Sequence, residues 1–127
     1  MNAMAVFAVG AGAALGAWLR WGLSAALNHV FVNLPLGTLA SNIIGGYLVG
    51  IAVAFFALRS DLPSEWRLFV ITGILGGLTT FSTYSAEVTD LLMRGAYGHA
   101  TTLALIHVAA SIALTIAGFA TFQLLTR

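Results

Sequence analysis

Apolar residues run along this chain in long stretches, and the few charged residues stand between them or near their ends. No charge occurs from Met1 to Leu19; Arg20 follows, and the next is Arg59. The segment Arg59 to Arg67 (RSDLPSEWR) gathers two basic and two acidic residues around Pro63. Leu68 to Ala86 is again uncharged, Glu87, Asp90 and Arg94 form a cluster, and only Arg127 follows. A helix needs about 20 apolar residues to cross the hydrocarbon of a bilayer. Asn28 to Gly37 (NHVFVNLPLG) divides the long run before Arg59, and Pro35 is placed to start a helix. The pattern therefore predicts helices over residues 4–27, 36–58, 67–93 and 99–125 in a single transmembrane domain. The fold class is all-α integral membrane.

Composition agrees. Of 127 residues, 60% are hydrophobic and 7% charged, too few charges to clothe a water-soluble domain of this length. Cysteine is absent, which excludes disulfides, thiolate metal sites and cysteine nucleophiles. The net charge is +1, with no lysine and no basic run, so nothing points to nucleic acid. No positive segment precedes the first apolar run, which reads as a retained helix rather than a cleaved signal. Trp18, Trp21, Trp66 and Tyr97 lie near helix ends, where interfacial anchors belong. Arg20 lies inside the first apolar run; it either snorkels to the headgroups or faces a water-filled vestibule.

Orientation is weakly specified. Arg59, Arg67 and Arg127 fall on one side and Arg20 and Arg94 on the other, too even a division for the positive-inside rule. Such a chain is suited to inserting both ways and pairing as an antiparallel dimer. Gly12 and Gly16, Gly46 and Gly50, and Gly73 and Gly77 have the spacing that lets helices approach closely, within one bundle or between subunits.

Polar residues inside a span need a partner or a cavity. Asn42, one turn beyond Thr38, either bonds across helices or lines a path. The third helix carries Gly73, Gly76 and Gly77 followed by Thr79, Thr80, Ser82, Thr83 and Ser85. Glycines weaken a helix and hydroxyls compete for its backbone bonds, so a break at mid-membrane is expected here, the alternative being a continuous helix whose hydroxyls back-bond to their own carbonyls. Freed carbonyls suit a small hard cation, and freed N–H groups and hydroxyls suit an anion. Phe81 and Tyr84, at i and i+3, share one helix face; aromatics at such spacing are as a rule packing residues, yet their electropositive edges, turned into a pore, favour an anion. His107 and Ser111, at i and i+4, share a face of the last helix, and no further residues stand at metal-ligand spacing. Glu87, Asp90 and Arg94 read mainly as a solvated helix end, with Asp90 and Arg94 as an i, i+4 pair; Glu87, nearest the membrane, is alternatively placed at a pore mouth.

Three segments together carry a resemblance: GAWLRW (Gly16 to Trp21), GTLASN with the glycines after it (Gly37 to Gly46), and GGLTTFSTYS (Gly76 to Ser85). With the length and the four spans, the chain resembles the Fluc/CrcB family of fluoride channels over essentially its whole extent. The resemblance implies an antiparallel dual-topology homodimer in the bacterial inner membrane, with two fluoride pores and a central structural sodium. Its implied role is passive export of fluoride that entered as the neutral acid. By position, Asn42 donates to fluoride, Phe81 and Tyr84 are the facing rings, and Ser82, Thr83 and Ser111 belong to the polar lining. Arg20 is the vestibule cation, and the backbone carbonyls of Gly76 and Thr79 hold the sodium. Tyr84 departs from the family's usual phenylalanine, and His107 stands where some relatives have a smaller residue.

Other classes fit less well. A small multidrug exchanger needs an intramembrane carboxylate in its first helix, and Met1 to Arg59 contains no acid. A purely structural subunit has no use for the glycine–hydroxyl stretch, and a Ser/His protease would need a nucleophile motif that is absent.

Overall fold

The computed structural model describes all 127 residues, and every long element is helical. Helices α1 (Ala3–Leu27) and α2 (Leu36–Leu58) are followed by α3 (Ser64–Arg67), a π-helical segment (Leu68–Leu75) and α4 (Gly76–Leu78) in one continuous rod. Helices α5 (Phe81–Met93) and α6 (Tyr97–Leu125) complete the chain. Four stretches are long and apolar enough to cross a membrane: Ala3–Leu27, Leu36–Leu58, Ser64–Met93 and Tyr97–Leu125.

Local chemistry accounts for the ends. The Asn2 side chain accepts the Ala5 N–H at 2.7 Å and starts α1. Helix α2 begins after Pro35, which offers no side-chain cap; Asn28 supplies one from the end of α1 instead. Its Oδ1 accepts the N–H groups of Gly37 at 2.7 Å and Thr38 at 3.1 Å. The third rod starts at Ser64, three residues before the hydropathy pattern suggests, because Pro63 sets the extended entry and Glu65 favours a first turn. After α5, Gly95 takes φ +74°, the Gly95 N–H bonds to Leu92 O, and the Ala96 N–H bonds to Leu91 O. This Schellman turn needs glycine's freedom at positive φ, and Ala96 then packs on Leu91. The Arg59–Asp61 pair in the loop after α2 is exposed, and the Arg59 hydrogen bond holds the Asp61 carboxyl below its usual value.

Packing joins the rods in pairs: α2 lies along α6, and α1 along the π-helical segment. Glycine permits both contacts. A Cβ on Gly12 would stand 2.9 Å from the Gly73 Cα, and one on Gly118 would strike the backbone of Tyr47 and Ile51. Only 18 of 127 residues are buried, and many large apolar side chains, among them Phe7, Trp18, Trp21 and Leu105, are exposed. For a chain with four spans, lipid is the solvent that such a surface fits.

The eight-residue π-helical segment has no counterpart in the hydropathy pattern. Its wider i→i+5 turns run directly into α4.

Candidate functional site: the groove at Thr79–Thr80

Helix α4 ends at Leu78. Thr79 (φ −84°, ψ 152°) and Thr80 (φ −152°, ψ 119°) are extended, and α5 begins at Phe81. The interruption leaves backbone groups that would otherwise pair within a helix. Asn42 on α2 takes both free groups of Thr80: its Oδ1 accepts the Thr80 N–H at 2.7 Å, and its Nδ2 donates to the Thr80 carbonyl at 2.9 Å. The Thr80 hydroxyl caps α5 by accepting the Thr83 N–H at 3.1 Å.

On the other side of the interruption, Arg20 donates from Nε to the Gly77 carbonyl at 3.0 Å. A cation at the C-terminal end of a helix is favourable, and it here satisfies one of the orphaned carbonyls. No side chain donates to the carbonyls of Gly76 and Thr79. The Thr80 N–H, which would reach Gly76 in an unbroken helix, is turned to Asn42.

An open groove of about 370 Å³ runs along this interruption. Helix α2 contributes Asn42 and Gly46, the extended residues Thr79 and Thr80 form its floor, and α5 contributes Phe81 and Tyr84. Helix α6 closes one wall with His107 and Ser111, flanked by Val108 and Ile112. The two rings of α5 meet edge-on, 5.3 Å apart at 72°, and Phe81 is three-quarters exposed on the open side. Tyr84 stacks on the His107 ring at 4.5 Å and 24°, and its hydroxyl makes a long bond of 3.4 Å to the Ala104 carbonyl. His107 Nδ1 lies 3.1 Å from Asn42 Nδ2.

Of the residues singled out from sequence, the groove brings together Asn42, Thr79, Phe81, Tyr84 and Ser111. It does not include Arg20, Ser82, Thr83 or Gly76. Ser82 is exposed, Thr83 receives the Thr80 hydroxyl bond at 3.0 Å, and Gly76 is exposed on the rod.

Glu87 is not part of a solvated end. It turns inward and accepts the hydroxyl of fully buried Thr38 at 2.5 Å, while its Oε2 is buried without a partner. Asn28 reaches the same hydroxyl at 3.4 Å, so one polar cluster ties the end of α1, the start of α2 and α5. Asp90 and Arg94 do form their ion pair, at 2.7 Å. Sequence reasoning saw Asn28 only as part of a loop; a polar residue at the end of a span is the signal that it also serves as a cap.

A family model described as CrcB-like protein, Camphor Resistance (CrcB), matches residues 7–119. The chain belongs to the CrcB family. It is similar to the fluoride-specific ion channel FluC of Cupriavidus taiwanensis, with 52% identity over 98% of this chain and 99% of that one. The protein of the same name from Nitrosospira multiformis is 53% identical over 100% and 99%. That from Burkholderia cenocepacia is 58% identical over 89% and 88%. The CrcB relatives are thus named as channels rather than enzymes. With four apolar helices, this CrcB chain is a multi-pass membrane protein.

Proposed function

We propose that the protein is a fluoride-selective passive channel that exports cytoplasmic fluoride and lowers its toxicity. The observation that carries the reading is the groove in which an asparagine amide, two aromatic rings and a serine converge beside a helix interruption. Relatives more than half identical over nearly the full chain, named fluoride-specific ion channels, support it. Fluoride is small and tightly hydrated, so a path must replace lost water with hydrogen-bond donors and electropositive edges. Ser111 offers a donor, Phe81 and Tyr84 offer ring edges, and Asn42, whose amide hydrogens are engaged by the Thr80 carbonyl and His107, lines the path and holds the extended backbone there. Ser82 and Thr83 extend the polar surface at the start of α5, and Arg20 adds the cation that raises anion concentration nearby.

One chain leaves the groove open on one side, with Phe81 exposed there. The open face, which a second copy would cover, supports the reading of a dual-topology antiparallel homodimer with two pores; we place it in the bacterial inner membrane with the helix interruption at the bilayer midplane. The carbonyls of Gly76 and Thr79, left without side-chain donors, fit a hard cation such as sodium, which takes oxygen ligands. When bound, the ion supplies a fixed positive charge at the interruption.

Fluoride efflux from proteoliposomes, read with a fluoride-selective electrode, tests the function. Rapid fluoride release without chloride release and without a proton gradient is the expected result. Release that occurs only with a proton gradient would replace the channel by an exchanger.

A further inference from the structure

Among the groove residues, only His107 has a buried side-chain polar atom without a hydrogen-bond partner. It is 3% exposed, its Nδ1 faces Asn42 Nδ2 at 3.1 Å, and its Nε2 is buried without a partner. The Asn42 amide admits only one orientation. Its Oδ1 must face the Thr80 N–H and its NH₂ the Thr80 carbonyl, because the backbone groups have fixed roles. The second amide hydrogen therefore points at His107, whose Nδ1 must be an unprotonated acceptor. The imidazole proton then resides on Nε2.

We propose that His107 is a positioning residue of the anion path: its unprotonated Nδ1 fixes the orientation of the Asn42 amide and, through it, the extended backbone of Thr80. The inference rests on the reading of Asn42 as a path residue. If Nδ1 carried the proton, two donors would confront each other. Flipping the amide to relieve that clash would set its NH₂ against the Thr80 N–H and its oxygen against the Thr80 carbonyl. Both bonds that hold the interruption would be lost together. Stacking on Tyr84 holds the ring plane beside Asn42. The groove wall carries no carboxylate or basic side chain to compete for Nδ1; the only other titratable group lining it is the Tyr84 phenol, directed to the Ala104 carbonyl.

The substitutions separate the two ring nitrogens. Asparagine places a carbonyl oxygen where the imidazole has Nδ1 and removes Nε2, whereas glutamine reaches the Nε2 position and loses the acceptor at Nδ1. Fluoride efflux is measured for the wild type, Asn42→Ala, His107→Leu, His107→Gln and His107→Asn. In parallel, nitrogen-labelled histidine NMR of the wild type in lipid reads the tautomer, from the signal that His107→Asn lacks. We expect His107→Leu and His107→Gln to conduct about tenfold more slowly, the scale of one lost hydrogen bond, and His107→Asn to recover most of that loss. The spectrum should show an unprotonated Nδ1. Should His107→Leu not assemble, the Gln and Asn pair and the spectrum still decide. A wild-type rate in His107→Gln, no recovery in His107→Asn, or a protonated Nδ1 would overturn the proposal alone. A wild-type rate in Asn42→Ala would overturn the assignment of Asn42 to the path and this inference with it.

Discussion

Asn42 holds both backbone groups of Thr80, receiving the N–H at 2.7 Å and giving a hydrogen to the carbonyl at 2.9 Å. One side chain on α2 thus stands in for the helical neighbours that the Thr79–Thr80 segment lacks.

Asn42→Asp keeps the acceptor for the Thr80 N–H but loses the donors to the Thr80 carbonyl and His107, and it puts a negative charge beside an anion path. Each buried group left unpaired costs about 1–3 kcal/mol. The expected outcome is at least a tenfold fall in fluoride efflux from proteoliposomes, and a variant that conducts at the wild-type rate would remove Asn42 from the path.

Tyr84→Phe removes only the long bond to the Ala104 carbonyl and keeps the ring against His107 and Phe81. Efflux should stay within about threefold of wild type, since a weak hydrogen bond contributes well under 1 kcal/mol. Tyr84→Leu, which loses both ring contacts, should conduct far more slowly. Equal rates in the two variants would show that the ring is dispensable.

Thr38→Val leaves the Glu87 carboxylate with neither oxygen partnered, because Oε2 already lacks a bond. Thermal unfolding in detergent should report a loss of about 1–3 kcal/mol. Thr38→Ser, which keeps the hydroxyl, should recover most of it.

Gly50→Ala drives a Cβ into the Thr115 carbonyl and to 2.8 Å from the Phe119 nitrogen, where α2 and α6 meet. Overpacking of this kind costs about 1–3 kcal/mol, seen as a lower unfolding temperature. Gly10→Ala meets open space and serves as the comparison; it should not lower the unfolding temperature.

Arg20→Met removes the Nε bond to the Gly77 carbonyl, a charge-assisted contact worth about 1.5–3 kcal/mol. The same measurement should show destabilisation, together with slower fluoride efflux if the cation also gathers anions. Unchanged stability would mean that water replaces the guanidinium at that carbonyl.

The four spans were legible because membrane solvation is a property of consecutive residues: runs of apolar side chains between Arg20, Arg59 and Glu87 determine where lipid is tolerated. The groove residues Asn42, Phe81, Tyr84 and Ser111 were legible as well, since a polar or aromatic residue in such a run stands out from its neighbours. Partners were not. Asn42 meets Thr80 and His107 at separations of 38 and 65 residues, and Glu87 meets Thr38 across 49, distances over which composition carries no information. Only the pairing of helix faces, with glycine letting α2 approach α6 and α1 approach the π-helical segment, decided which donor faces which acceptor. The π-helical turns belong to the same class. The segment packs along α1, whereas hydropathy registers only that the rod is apolar.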